Sequence, residues 1–259
     1  LGGPAGFMVG RAAARGRPLS LGQARAITWG GTWGTWQGLG WAMALDLGGG
    51  EECFDDVCFE EDESARAVFG SMIAGGLTGI LVGNVLSKRD ITDGLATSVN
   101  LGSLWGTWFG LAGGILADLE GDGLWVSTLI GGNVGLLASA YAARHWRPSR
   151  SRARLVSIAG LIGGVGGAGI DLLIQPDDDK ALVGIPLATS LAGLFIGMAQ
   201  TRDHAREEPE GTPPSHALVD LTGGQWRLGT PLPGVMQIPW REGPHGRFAV
   251  TVPLLTLSF

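Results

Sequence analysis

The stretch Trp33-Gly34-Thr35-Trp36 is written a second time as Trp105-Gly106-Thr107-Trp108, and the match runs outward at constant spacing. Gly30 maps onto Gly102, Gly38 onto Gly110, and Asp46-Leu47 onto Asp118-Leu119. A fixed internal period is the signature of a copied supersecondary unit, so it constrains the architecture before any local assignment. Each copy lies in a long run without charge and carries a glycine every fourth residue, which puts Gly30, Gly34 and Gly38 on one face of a helix. Trp29, Trp33 and Trp36 fall more than about 100° away from that face. The unit is therefore read as a helix with one face for close backbone contact and another for indoles.

Runs free of Asp, Glu, Lys and Arg occur at 26–45, 67–87, 94–117, 123–143, 155–170 and 181–201. Five of them have about the 20 residues that a helix needs to cross a hydrocarbon core. The fifth is extended past Asp171 by Leu172, Leu173 and Ile174. Ser20, Ser64, Thr92 and Ser151 are suited to cap helix starts. The composition agrees: 46 of 259 residues are Gly, 45% are hydrophobic and only 16% are charged. Average usage is about 7% Gly and about 25% charged. A glycine-rich yet apolar chain is one whose backbones come close together.

The flanks alternate in sign. Arg11, Arg15, Arg17 and Arg25, the Lys88-Arg89 turn, the loop from Arg144 through Arg147, Arg150 and Arg152 to Arg154, and Arg202 with Arg206 fall on one side of six crossings. The acidic segments 46–66, 118–122 and 171–180 fall on the other, with only Arg66 and Lys180 among them. Such segregation is what positive-inside topology produces, with both ends of the helical region on the basic side. A soluble glycine-rich bundle would have no reason to sort its loops this way. The formal net charge of −6 offers no basic face for nucleic acid.

In lipid, small residues that permit close approach hold helices together. The candidate packing residues are Gly30, Gly34, Gly38, Gly102, Gly106 and Gly110 in the odd spans. In the even ones they are Gly75, Gly79, Gly131, Gly135, Gly193 and Gly197, with Gly163 and Gly167 in the fifth. The fifth span is small on almost every side and is expected to be the most enclosed. Trp29, Trp33, Trp36, Trp105 and Trp108 form the candidate interaction face, turned to lipid, to a cavity or to another subunit. Asn84, Asn100, Asn133 and Gln37 are expected to make interhelical hydrogen bonds. Ala13-Ala14-Arg15-Gly16-Arg17-Pro18 and Ala142-Ala143-Arg144-His145-Trp146-Arg147-Pro148 form a second repeated signal. It makes the repeating unit a helical hairpin with a basic lead-in, and residues 5–14 then read as the end of a preceding helix, with more protein upstream.

Cys53 and Cys58, the only cysteines, lie in the first acidic loop, on the side that the charge rule places outside the cytoplasm. A disulfide is permitted there. Free thiols or a two-thiolate metal site compete with it, but no further Cys or His falls on that side. Asp46, Asp118 and Asp171 close the odd spans at their acidic ends, where a helix already carries partial negative charge. They are read as interfacial anchors or, on the functional alternative, as carboxylates at a pore mouth. No Gly-x-Gly-x-x-Gly follows a strand, the Gly-rich runs lie inside apolar helices, and a phosphate loop with Lys-Ser/Thr, a His-Glu-x-x-His zinc helix and a Gly-x-Ser-x-Gly elbow are missing, so no cofactor or catalytic site is implied.

After residue 204 the composition changes. Residues 205–214 read as a Pro- and Glu-rich linker and 215–259 as a tail of short strands and turns, including Gln225–Leu228 and the alternating run from Phe248 to Phe259. The last ten residues, with Leu255, Leu257 and Phe259 at alternate positions, resemble the C-terminal strand signature of bacterial outer-membrane β-barrel proteins. The glycine-spaced helices resemble, in a general way, the Gly-zipper membrane proteins of Gram-negative bacteria.

The expected fold is an all-α membrane protein of six glycine-rich transmembrane helices, arranged as three repeated hairpins over 19–204. Residues 1–18 supply the end of a preceding helix and a basic lead-in, and a short β-rich tail follows. The expected function is a non-enzymatic scaffold or accessory subunit that contacts the lipid bilayer and other membrane subunits or copies of itself. A channel or small-solute transporter is the alternative. Charge distribution favours the inner membrane of a bacterium. The outer membrane, with the tail in the periplasm, is the other option, since the spans are only mildly hydrophobic.

Overall fold

The structure, a computed structural model, describes residues 19–47, 51–54, 57–60, 62–176 and 178–202, and five short strands between 219 and 258. The chain divides into two compact units, Leu1–Arg206 and Glu207–Phe259. Among the described residues of the first are six long helices: α1 (Leu21–Ala44), α2 (Asp62–Leu86), α3 (Asp93–Leu116), α4 (Gly121–Trp146), α5 (Arg150–Ile174) and α6 (Asp179–Gln200). A two-stranded antiparallel ribbon, β1 (Glu51–Phe54) with β2 (Val57–Glu60), lies between α1 and α2 in sequence. The stretch proposed as the end of a preceding helix, and the linker, lie outside the described residues.

Helix starts follow local chemistry. Ser20 makes a reciprocal capping box with Gln23, whose amide also donates to the Ser87 carbonyl at 2.7 Å and so ties the start of α1 to the end of α2. Thr92 caps α3 by accepting from the Leu95 amide. Two starts differ from the expected ones. Ser149 rather than Ser151 caps α5, because Ser149, extended beside Pro148, already accepts from the Arg152 amide. The second helix begins at Asp62, so Ser64 is inside it.

Helix ends explain the repeated Asp-Leu. Asp46 and Asp118 have left-handed backbones, φ 50° and 56°. After α1, the Leu47 amide donates to the Ala42 carbonyl and the Asp46 amide to that of Met43. After α3, Leu119 donates to Gly114 and Asp118 to Ile115. Both are complete Schellman caps, in which a short polar side chain tolerates the left-handed position that glycine usually fills.

Consecutive helices pack in antiparallel pairs: α1 with α2, α3 with α4, α5 with α6. In the first pair a Cβ added to Gly30 would overlap the Gly79 carbonyl, one on Gly34 that of Gly75, and one on Gly38 that of Ser71. In the second, Gly106 abuts the Gly131 carbonyl and Gly110 that of Ser127, while Gly135 abuts that of Gly102. In the third, Gly163 abuts Thr189, Gly167 meets Pro186 and Thr189, Gly193 abuts Ala159, and Gly197 meets Val156. Ser71 donates across its pair to the Gly38 carbonyl and Ser127 across its own to that of Gly110.

The pairs are joined through the odd helices. The first helix packs on both α3 and α4, and α3 packs on both α5 and α6. The result is a row of pairs rather than a shared centre, and its interior is lined by small and polar residues such as Ala42, Ala96, Ala112, Ser87, Ser103 and Ser190. Large apolar side chains lie outside. Among the described residues four helices are long and apolar enough to cross a membrane: Ala65–Leu86, Gly121–Trp146, Arg150–Ile174 and Lys180–Gln200. This composition points to a membrane location. The two that fall short, α1 and α3, have the most helix neighbours, so fewer of their side chains need to be apolar.

The fifth helix is not the most enclosed. It ends the row, Leu161, Ile162 and Val165 are exposed, and Gly166 and Gly169 face open space. Small residues on every side of a helix permit burial, but α3 and α6 are its helix neighbours among the described residues and leave the rest of its surface open.

In the second unit, β3 (Val219–Thr222) pairs antiparallel with β4 (Gln225–Leu228) and parallel with β7 (Leu255–Ser258). A separate antiparallel pair joins β5 (Gly234–Ile238) to β6 (Arg247–Thr251).

Candidate functional site

The indoles of one pair are turned to the next pair. Trp29 Nε1 donates to Ser103 Oγ of α3 at 3.2 Å, and Trp33 Nε1 to Asn133 Oδ1 of α4 at 3.2 Å. One unit later, Trp105 Nε1 donates to Ser157 Oγ of α5 at 2.9 Å and Trp108 Nε1 to Ser190 Oγ of α6 at 3.3 Å. Glycines make room for the rings: a Cβ on Gly132 would stand 2.7 Å from Trp33 Cη2, and one on Gly160 2.7 Å from Trp105 Cζ2. Trp36 packs against Trp125, ring centroids 6.0 Å apart. The repeated Trp-Gly-Thr-Trp is thus a two-sided joint. Its glycine meets the partner helix, its indoles meet the following pair, and its threonines (Thr35, Thr107) bond back to carbonyls of their own helices.

The first joint is the more polar. Asn133 Nδ2 donates to Gln37 Oε1 at 3.1 Å, and Trp41 Nε1 donates to the same oxygen at 3.2 Å. An indole can only donate, so Trp33 and Trp41 fix the orientation of both amides. Asn133 and Gln37 therefore make the interhelical bonds expected of them. Among the described residues Asn84 and Asn100 take part only through their carbonyls, which accept from Ser87 and Ser103. In the second joint, Phe109 stands where Gln37 stands in the first.

A charged cluster joins the starts of the three odd helices. Asp93, the first residue of α3, meets Arg25 of α1 at 2.9 Å and Arg150 of α5 at 3.5 Å, and Arg25 also donates to Thr97 at 2.8 Å. An acid in the first turn suits the helix dipole, and here it also separates two guanidinium groups. The signal available in the sequence was Asp93 itself, an acid directly behind the Thr92 cap on the side where the basic residues gather. The indole acceptors Ser103, Ser157 and Ser190 had no comparable signal.

The three aspartates do not form one group. Asp46 and Asp118 are exposed capping residues, and Asp118 pairs with Lys180 at 2.6 Å. Asp171 is inside α5, and Gln175, with φ 49°, holds the left-handed position at the end of that helix. Counted from the caps Ser20, Thr92 and Ser149, Asp171 matches Ala42 and Gly114. It is 6% exposed, and neither carboxylate oxygen has a hydrogen-bond partner.

The ribbon register sets Cys53 directly across from Cys58. Among the described residues no group of three or more His, Cys, Asp or Glu is placed to hold a metal ion. No protein-family model, curated protein or solved structure matches the chain.

Proposed function

We propose that the chain is a non-enzymatic integral membrane protein, a structural module of a larger assembly, built as three repeated glycine-zipper hairpins that cross the bilayer six times. The observation that carries this is the inversion of ordinary burial. Ile73, Leu161 and Phe195 are exposed, while glycine backbones, serines and indoles meet inside. Lipid rewards that arrangement, because acyl chains cover the aliphatic faces and small residues supply the helix contacts. The row of sealed pairs leaves the outer faces of α2 and α5 for lipid or for a neighbouring subunit. Ile73 shows how open the first face is. It is 64% exposed, whereas Leu129, its counterpart on α4 when Ser71 is matched to Ser127, is fully buried against Gly40 of α1.

The test is fractionation followed by reconstitution. The protein should stay with alkali-washed membranes, sediment with the inner membrane, and leave liposomes as impermeable to small ions as empty ones. Conductance that vanishes on Asp46→Asn or Asp118→Asn would replace the scaffold by a channel, and release by alkali would remove the membrane assignment altogether.

The ribbon carries a second expectation. With two residues between Phe54 and Val57, the Cys53–Cys58 pair falls at a non-hydrogen-bonded position. Cα atoms there are about 4.5 Å apart, inside the disulfide range of about 4.4–6.8 Å. A disulfide facing outward predicts that a membrane-impermeant maleimide labels intact cells only after reduction. Equal labelling without reduction argues against the bond, and no labelling after reduction argues against the topology.

A further inference from the structure

Asp171 is the one buried acid among the described residues, and neither of its carboxylate oxygens has a hydrogen-bond partner. In the α5/α6 pair Gly163 meets Thr189 and Gly167 meets Pro186, so the antiparallel register brings Asp171, one turn further, to the level of Ala181 and Leu182. Pro186 has no amide hydrogen, which deprives the Leu182 carbonyl of its helical donor. A carboxylate and a released carbonyl therefore lie at the same level of the α5/α6 pair. Both want positive charge, and an ionised carboxylate taken out of water without a partner is costly.

The charged groups on the packed elements do not supply it. From α6 they are Asp178, which caps the helix through the Lys180 amide, Asp179 in the first turn, and Lys180, whose ammonium is on Asp118. From α3 the nearest is Asp118 itself, just past the helix end. Along α5 no other charged residue follows Arg154. The corresponding places in the other two odd helices hold Ala42 and Gly114, so the carboxylate is an addition specific to the last pair.

We infer that Asp171 is a binding site for one alkali-metal ion, held between its carboxylate and the Leu182 carbonyl. A bound ion stabilises the pair in proportion to its concentration.

The experiment uses the full chain in detergent micelles, with unfolding followed through tryptophan fluorescence. Sodium chloride is compared with N-methylglucamine chloride at equal ionic strength, at pH 8.5. The wild-type midpoint should rise by roughly 5–10 °C when the site fills, taking occupancy at about a hundred times the dissociation constant. A rise with sodium that N-methylglucamine does not give assigns the alkali ion. Asp171→Asn should lose the response, and so should Asp171→Ala, which restores the residue type of Ala42 and keeps the comparison open if the amide variant fails to fold. A wild-type midpoint indifferent to sodium, or Asp171→Ala responding as wild type does, overturns the site. Either result concerns the α5/α6 pair alone and leaves the membrane assignment to its own fractionation test.

Discussion

Gly106→Ala is expected to destabilise the helical unit by about 3 kcal/mol, a large effect for one methyl group. The new Cβ would overlap the Gly131 carbonyl and crowd the backbone of Gly135, and neither can yield as a side-chain tip can. The pair must spread, which also loosens Gly102 and Gly110 above and below. Gly113→Ala is the control in the same helix: its Cβ would meet nothing within 4 Å, so the change should stabilise by about 0.5–1 kcal/mol through helix propensity alone. Midpoints of thermal unfolding in micelles read both. A Gly106→Ala protein as stable as the Gly113→Ala one would mean that the close contact of α3 with α4 is not what holds them.

Trp33→Ala should cost about 3–5 kcal/mol, the range for removing a large packed aromatic side chain. It empties the space above Gly132 and leaves Asn133 Oδ1 without its donor. Trp33→Phe isolates the second effect, since it keeps most of the ring and loses the indole N–H, for about 1 kcal/mol. A double-mutant cycle with Asn133→Leu should return that difference as the coupling between the two residues. The visible consequence is selective: limited proteolysis should separate the α1/α2 pair from the rest in Trp33→Ala while each pair stays intact. Uniform digestion of all six helices would place the joint elsewhere.

Much of this architecture was legible because the signals are local. Charge-free runs mark the helices to within a few residues, and the differences have one cause: Arg25, Asp62 and Arg150 through Arg154 belong to helices even though they are charged. Glycine spacing gave the contact face because the period of a helix fixes which residues share a side. The same period could say only that Trp29, Trp33 and Trp36 point away from the glycines, and what they meet depends on Ser103 and Asn133, brought there by the fold. The grouping of Asp171 with Asp46 and Asp118 failed for a related reason. It matched residue type at the acidic end, whereas the true register is counted from the helix start, and by that count the third odd helix ends on Gln175.

The pairing of each helix with its immediate successor has a consequence for how the protein is made. The glycine face of α1 finds its complement as soon as α2 has been synthesised, and nothing further along the chain is required to close it. Indoles that will clasp the next pair wait on the outer side of a unit already sealed. Synthesis can therefore proceed two helices at a time, with the polar backbone contacts hidden before each new segment emerges. An error in one unit would then stall the addition of the next without undoing those already in place.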